Sequence, residues 1–241
     1  MKNKFGFILI KPQLGENIGA CARSLKNFGF SKLYIVSPKE KWPNIKAKKT
    51  SVGAYDIIKK AKIFDKTSES IKEFDVVFSL SARKRDINKK HLSVKEFLKI
   101  LSKKNYSNCG LMFGPEASGL SNEDLSYSNY ILQIPTSKKF KSMNLSHSLT
   151  VIAYEIFKLF NNKRFEKNQK NIKISTKNQV HAVVNHLKYL LEKKDFFIPK
   201  EKKRSMIMNI NNLIYRLEPN DKELRILASI ISALYKKKRK A

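Results

Sequence analysis

The chain has few of the residues from which metal sites and disulfides are built. Its 241 residues include only two cysteines and four histidines. Cys21 and Cys109 lie far apart in sequence, and neither has a histidine or cysteine neighbour at the spacing of a metal site. We therefore expect no structural metal and no metal cofactor, and we expect a reducing, cytoplasmic compartment.

Long apolar runs and the familiar nucleotide signatures are also missing. No run of 18 or more apolar residues occurs, so we expect no membrane span. The opening MKNKFGFILIKPQ lacks a small-residue cleavage site and predicts a first strand rather than a signal peptide. The absence of G-x-G-x-x-G after that strand, and of G-x-x-x-x-G-K-[ST], disfavours a standard dinucleotide fold and a P-loop. Hydrolase motifs such as G-x-S-x-G and H-E-x-x-H are absent too.

Acidic residues are scarce relative to basic ones. The chain has 20 acidic and 50 basic residues, which gives a formal net charge of +30. A field of this sign attracts polyanions, so RNA, DNA and acidic membrane surfaces are the candidate partners. The alternative explanation is an AT-rich genome, which enriches lysine, asparagine and isoleucine throughout a proteome, and we attribute about half of the excess to it.

Apolar runs alternate with amphipathic stretches through residues 1–160. This pattern predicts an α/β fold with a mostly parallel sheet and helices on both faces. The predicted strands are 5–11, 32–37, 62–65, 76–80, 110–113 and 131–135. The predicted helices are 18–28, 51–60, 68–73, 94–103, 122–126 and 144–160, with Asn17 at the N-cap of the first.

The last third of the chain has a different composition. Residues 161–179 are polar and predict a linker, and residues 180–241 predict a small basic helical extension with helices at 180–194, 200–217 and 221–237. Residues 161–241 contain 21 basic and 7 acidic residues. The extension is therefore a candidate RNA-binding unit, ending in a KKKRK tail that adds unspecific affinity. The alternative is a helical appendage that packs on the main domain or on a second subunit.

Three segments carry residue patterns typical of ligand sites. In ENIGACARSLKNFGF (16–30), Arg23 lies among small residues, where an arginine binds a specific anion or forms a structural salt bridge. In LMFGPEASGLSNEDL (111–125), Gly114 and Gly119 bend the chain after an apolar strand. Such a turn lets the backbone approach a ligand, or is only a tight connection.

The third segment is TSKKFKSMNLSHS (136–148), which is long and basic for a connection between a strand and a helix. Ser142 and Asn144 lie at the start of the following helix. They either cap that helix or help to present its N–H groups to a ligand.

In this order the three segments resemble the motifs of the SpoU/TrmH family, within the SPOUT class of RNA methyltransferases. The matching stretches are Asn17–Arg23, FGPEASGL (113–120) and IPTSKKFKSMN (134–144), and the similarity spans essentially residues 5–160. SLSARKR (79–85) and the C-terminal RLEPNDKELRIL are similar to the TrmJ branch. Members of that branch methylate the ribose of nucleotide 32 in the tRNA anticodon loop.

The resemblance implies a methyltransferase domain at 1–160 whose sheet ends in a deep trefoil knot that binds S-adenosylmethionine. It also implies a homodimer with the site completed at the subunit interface. Carried over residue by residue, the cofactor-binding residues are Leu80, Ser81, Ala82, Gly114, Ile134, Lys141, Ser142 and Met143.

The same resemblance implies that Arg23 is catalytic. In-line attack of a ribose 2′-hydroxyl on a methyl group depends on positioning. A guanidinium is a poor base at neutral pH, so we expect Arg23 to hold the phosphate and stabilise the developing alkoxide. The residues expected to orient Arg23 or the ribose are Asn17, Glu116, Ser142 and Asn144.

Some residues depart from the family pattern, and these departures weaken the prediction of the substrate more than the prediction of the reaction. Leu80 stands where threonine is common in the TrmJ branch, Pro115 follows the general SpoU pattern, and Lys138, Lys139 and Lys141 make the third motif basic. The alternatives are therefore methylation of another tRNA position or of ribosomal RNA, and a catalytically silent RNA-binding protein. The choice between cytidine and uridine stays open.

Overall fold

The computed structural model describes residues 4–82, 87–161 and 174–235. Within these ranges seven strands form one sheet in the order β3-β2-β1-β6-β4-β7-β5, and each of its six strand pairs is parallel. The strands are β1 (Phe5–Ile10), β2 (Lys32–Val36), β3 (Lys62–Phe64), β4 (Val76–Leu80), β5 (Lys90–Ser93), β6 (Cys109–Phe113) and β7 (Tyr130–Gln133). The predicted parallel α/β sheet is confirmed.

The described helices connect these strands and follow the last of them. They are α1 (Gly15–Asn27), α2 (Ile45–Ser51), α3 (Tyr55–Lys59), α4 (Thr67–Ser70), α5 (Val94–Lys103), α6 (Asn122–Ser126), α7 (Leu145–Asn161), α8 (Lys177–Glu192), α9 (Lys203–Tyr215) and α10 (Asp221–Tyr235). Short 3₁₀ turns lie at Val52–Ala54 and Lys200–Lys202.

Helices cover both faces of the sheet because its strands are apolar on both sides. In β1, for example, Phe7 and Leu9 point to one face while Ile8 and Ile10 point to the other. The first face packs against α1, α2, α3, α5 and α7. The second face packs against α6 and the three C-terminal helices α8, α9 and α10.

Two elements differ from the sequence prediction. Strand β5 was not predicted, because its sequence KHLS is polar and only Leu92 is buried in this edge strand. The predicted helix 51–60 is instead α2, a 3₁₀ turn and α3. Val52 has φ 47°, a left-handed conformation that ends α2.

Helix α1 begins earlier than predicted, and Asn17 is not its N-cap. The N-cap is Leu14, which makes no side-chain capping bond. The first residue of the helix has to be glycine unless Asn44 moves, because a Cβ at Gly15 would lie 2.2 Å from the side-chain oxygen of Asn44. The Gly15 N–H donates to a Glu40 carboxylate oxygen over 3.1 Å. Asn17 therefore lies inside the first turn, with its side chain available for other contacts.

Most of the predicted linker, residues 162–173, lies outside the described residues, as do residues 83–85 of SLSARKR and the KKKRK tail. The end of the predicted linker is structured. Helix α8 begins at Lys177 rather than at residue 180, because Thr176 and Gln179 form a reciprocal capping box.

The helical extension packs against the sheet domain. The Lys177 N–H donates to the carbonyl of Phe74 over 2.7 Å, and the Asn178 N–H donates to that of Lys72 over 2.8 Å. The buried apolar residues that it adds to the second face are Val180, Val184, Ile214, Tyr215 and Leu224. Within the described ranges no helix has the length and apolar character needed to span a membrane.

Candidate active site

A cavity of about 270 Å³ lies where β4, β6 and β7 end. Ligands of open parallel α/β sheets bind at this carboxyl edge. The walls of the cavity come from three segments: residues 80–82 after β4, residues 113–120 after β6, and residues 132–148 between β7 and α7.

All predicted cofactor-binding residues line this cavity: Leu80, Ser81, Ala82, Gly114, Ile134, Lys141, Ser142 and Met143. Glu116 lines it as well. Sequence analysis missed Ser118, Thr136 and Ser148, which also face the cavity. Their positions follow from the path of the loops, and no local pattern marks them.

The glycines of the second motif allow that loop to fold back on itself. A Cβ at Gly114 would lie 2.3 Å from the Leu120 nitrogen, so only glycine fits there. Gly119 has φ +68°, which favours glycine, and its N–H donates to the Pro115 carbonyl over 2.8 Å. The resulting turn brings main chain to the wall of the cavity.

Glu116 joins the second motif to the first. Its two carboxylate oxygens accept hydrogen bonds from the Asn17 side-chain amide over 2.7 Å and from the Gln13 backbone N–H over 2.9 Å. The Gln13 side-chain oxygen in turn accepts from the Ala117 N–H over 3.2 Å. The loop after β1 and the loop after β6 therefore hold each other in place.

Asn144 joins the third motif to the same group. Its side-chain oxygen accepts from the Ser146 N–H over 2.8 Å and so caps α7. Its side-chain nitrogen donates to the Asn17 side-chain oxygen over 3.1 Å. Asn144, Asn17 and Glu116 thus form one hydrogen-bonded chain that connects all three motifs.

The charge of Glu116 affects the neighbouring helix. Burial, and after it the Glu116 carboxylate, raises the pKa of the Cys21 thiol far above its ordinary value. A thiol held in its protonated form is a poor nucleophile. Cys21 and Cys109 are both buried and unbonded, so neither supplies covalent chemistry here.

Arg23 and Ser142 stay outside this hydrogen-bonded chain. Arg23 is exposed on α1, and among the described residues its side chain makes no ion pair or hydrogen bond. The structural salt bridge considered for Arg23 is therefore not found in that part of the chain. Ser142 is exposed in the cavity wall.

Helices α1 and α7, which begin at the first and third motifs, pack directly on each other. The hydroxyls of Ser24 and Thr150 lie 2.5 Å apart. The ring of Phe28 contacts those of Tyr154 and Phe157, with centroids 5.8 Å and 5.6 Å away. This packing fixes the start of α7, and hence Asn144, relative to Asn17.

Gln13 is the main site residue that sequence analysis missed. It lies in the loop after β1, at the carboxyl edge of the sheet, and that position was the available signal. No group of three or more potential metal ligands lies together in residues 4–82, 87–161 and 174–235.

Comparisons with known proteins show what the whole chain is similar to. The family model of the SpoU rRNA Methylase family matches residues 4–154. A tRNA (cytidine-2'-O-)-methyltransferase TrmJ of Methanocaldococcus jannaschii is 34% identical over 227 residues, covering 92% of this chain and 96% of the relative. A tRNA (cytidine/uridine-2'-O-)-methyltransferase TrmJ of Pectobacterium atrosepticum is 28% identical, covering 98% of each chain. The crystal structure of TrmJ from Z. mobilis ZM4 superposes with a TM-score of 0.87 at 28% identity, covering 96% of this chain and 99% of that one.

Proposed function

Because the chain belongs to the SpoU rRNA methylase family, we propose that it transfers the methyl group of S-adenosylmethionine to a ribose 2′-hydroxyl of tRNA. We further propose that the target is the cytidine or uridine at nucleotide 32 of the anticodon loop, and that the enzyme acts in the cytoplasm. The observation that carries the proposal is one cavity whose walls hold all the predicted cofactor residues, beside a hydrogen-bonded chain that joins the three motifs. The full-length similarity to TrmJ relatives supports the choice of tRNA.

The residues of the cavity fit the proposed cofactor. Leu80, Ile134 and Met143 provide apolar wall surface for a flat base, and the tight turn at Gly114 places main-chain groups beside it. When bound, S-adenosylmethionine supplies an electrophilic methyl group. The residues of the protein then have to hold the ribose hydroxyl in line with that methyl group.

Arg23 is the proposed catalytic residue. A guanidinium group donates hydrogen bonds and accepts none. We expect it to bind the phosphate next to the target ribose and to stabilise the negative charge that develops on the 2′-oxygen. Its exposure and its lack of an ion pair within the described residues support a role toward a ligand.

Asn17, Glu116 and Asn144 act in this proposal as positioning residues. Their hydrogen bonds fix the start of α1 and the start of α7 against the turn after β6. Ser142 in the cavity wall lies where it can orient the ribose. Removing the Asn17 side chain would break the hydrogen bonds to both Glu116 and Asn144, and so would separate the first motif from the other two in this network.

We also infer a trefoil knot and a homodimer. The position of β7 between β4 and β5, followed by the long loop into α7, is compatible with a knot at this edge of the sheet. Leu14 and Tyr154, beside α1 and on α7, are 48% and 47% exposed. Apolar side chains that exposed are compatible with a second subunit next to the site. The basic helical extension is the proposed additional tRNA contact.

The direct test is to incubate the purified chain with labelled S-adenosylmethionine and tRNA unmethylated at this site. Ribose methylation is then mapped by nuclease digestion and mass spectrometry. A 2′-O-methyl group at nucleotide 32 is the expected result. Methylation at another nucleotide would support the proposed reaction and contradict the proposed position. Transfer to ribosomal RNA only would change the substrate, and no transfer to either RNA would favour the silent RNA-binding protein.

Arg23→Ala tests the mechanism. We expect turnover to fall by about 100-fold or more, with cofactor binding nearly unchanged in calorimetry, because Arg23 does not line the cofactor cavity. Lys26→Ala removes an exposed cation from the same helix and should retain turnover. Loss of cofactor binding in Arg23→Ala would contradict the assignment, as would an equal loss of turnover in Lys26→Ala.

A further inference from the structure

A second cavity lies between α6 and α9, outside the candidate active site. Its volume is about 420 Å³, within the usual range of small-ligand pockets. Helix α6 contributes Glu123, and Tyr127 directly follows the helix. The other lining residues are Lys200, Lys203, Arg204, Ile207, Met208 and Asn211. We propose that this cavity, called the α6–α9 pocket below, binds one nucleotide of the RNA substrate. The proposal deepens the proposed function and rests on it.

The lining of the α6–α9 pocket has the chemistry of a nucleotide site. Tyr127, Ile207 and Met208 give it an aromatic and apolar surface on which a base can stack. Lys200, Lys203 and Arg204 add three cations at which a phosphate can bind. A nucleotide bound here would place its base on the apolar surface and its phosphate at the cations.

The cations of the pocket are only weakly held by protein carboxylates. Arg204 pairs with Glu123 over 3.0 Å, but their side chains are 80% and 52% exposed. Lys203 pairs with Glu192 over 2.7 Å, again at the surface. Exposed pairs of this kind contribute little to stability and are screened by salt. A phosphate can therefore replace the carboxylate at Arg204 with little loss of folding energy.

Asn211 gives the pocket an unsatisfied polar group. The residue is only 2% exposed, and its side-chain oxygen has no hydrogen-bond partner among the described residues. Its side-chain nitrogen lies 3.5 Å from the Ser126 hydroxyl. Buried amide oxygens are normally paired, and each exception calls for a missing partner. The oxygen itself is buried, so a nucleobase amino group would reach it once the Asn211 side chain turns toward the pocket.

The α6–α9 pocket is close in sequence and structure to the cofactor cavity. Leu120 lines the cofactor cavity, and Glu123, three residues later, lines the α6–α9 pocket. Between them Ser121 caps α6 through a capping box with Asp124. Asp124 also accepts a hydrogen bond from the Thr67 hydroxyl over 2.7 Å. A rigid turn therefore separates the two sites, so one RNA strand can reach both.

The test measures binding of tRNA by the full chain, independently of methyl transfer. Met208→Trp fills the pocket without changing charge, and we expect it to weaken tRNA binding about tenfold. Ile226→Trp, on the half-exposed Ile226 of α10, is the matched control and should bind as the wild type does. Affinity for S-adenosylmethionine should be unchanged in both variants.

A second pair of variants separates a specific contact from general charge. Arg204→Ala should weaken tRNA binding about tenfold more than Arg225→Ala. Arg225 is an exposed arginine of the same extension, and its Nε donates to the Asp221 carbonyl within α10. Because Arg204 is 80% exposed, Arg204→Ala should fold even if Met208→Trp does not.

Cytidine 5′-monophosphate is the direct probe. Its titration followed by NMR should shift the signals of Tyr127 and Met208 in the wild type, and the shift of the Tyr127 signal should be abolished in Met208→Trp. Equal tRNA affinities within either variant pair would overturn the proposal, as would inorganic phosphate producing the same shifts as the nucleotide. A wild-type chain that binds no tRNA would instead refute the proposed function.

Discussion

The two faces of the sheet are covered in different ways. The first face, under α1 and α7, is an apolar core rich in aromatic rings such as Phe7, Phe30 and Phe113. The second face, under the helical extension, has buried lysine side chains at its margin, Lys89 and Lys177, at 6% and 1% exposure. The buried surfaces of α1 and α7 thus pack mainly through apolar side chains, and the extension is held by directional polar contacts as well.

Polar contacts on the second face define where the extension sits. The Arg216 guanidinium, just after α9, donates to the backbone carbonyl and the side-chain oxygen of Asn88 over 3.2 Å and 2.7 Å. Asn129 accepts from the Val77 N–H over 2.9 Å and donates to the carbonyl of Tyr215 at the end of α9. Apolar packing tolerates small shifts, whereas such bonds are lost when partners move. Because these hydrogen bonds need their partners in place, we infer that the extension has one defined position on the sheet.

Phe78→Ala tests the apolar face and should have the largest effect. The Phe78 ring is fully buried, with centroids 4.8 Å from Phe97 and 5.3 Å from Tyr130. Truncating it should lower the free energy of unfolding by about 3–5 kcal/mol in urea titrations. Phe140→Ala, at a ring that is 74% exposed, is the matched control and should leave the unfolding midpoint unchanged. A similar loss in both variants would contradict this account.

Asn129→Ala tests the polar face and should have an intermediate effect. It leaves the buried Val77 N–H without its partner and removes one of the two side-chain donors to the Tyr215 carbonyl, the other being the Lys177 side-chain nitrogen. This should lower the free energy of unfolding by about 1–3 kcal/mol. Hydrogen exchange should rise in α9 more than in α1. The control is Asn178→Ala, at an exposed asparagine of α8. Equal exchange in α9 and α1 would show that the extension is not held at this point.

The pH dependence of stability should show the smallest change from one measurement to the next. Burial, and after it the charges of Lys177 and Arg216, lowers the pKa of Lys89 to about 6, from an ordinary lysine value of 10.5. Between these values the unfolded chain binds a proton that the folded chain does not, so the free energy of unfolding rises with pH. From pH 7 to pH 9 we expect Lys89 to contribute a rise of about 1 kcal/mol per pH unit.

Lys89→Met isolates this contribution. The variant should lose that part of the pH slope, measured as the urea midpoint at pH 7, 8 and 9. Burial also lowers the pKa of Lys177 to about 7, so part of the slope should remain. Lys90→Met, at the exposed next residue, should keep the full wild-type slope. An unchanged slope in Lys89→Met would contradict the prediction.

Much of the sheet could be predicted because buried parallel strands are apolar runs between helical stretches. Six of the seven strands follow from that pattern, β1 and β4 most clearly. Strand β5 does not, because an edge strand with one buried side chain has no such run. The cofactor-binding residues were predicted from the family resemblance, and the cavity brings them together, while their roles stay predictions.

Contacts between distant residues could not be predicted from local patterns. Asn17 was expected to cap α1, yet its side chain bonds to Glu116 and Asn144, 99 and 127 residues away. Gln13 likewise gained its partners only through folding. The burial of Lys177, in a segment expected to be a linker, is a third case.

The sequence by itself determined the α/β class, the family and the order of the three motifs, because apolar periodicity and glycine-bearing turns are local properties of the chain. Only the tertiary structure decided that Asn144, Asn17 and Glu116 share hydrogen bonds, that the extension covers one face of the sheet, and that a second cavity opens beside α6. The physical reason is that such contacts join residues whose separation along the chain carries no information about their distance in space.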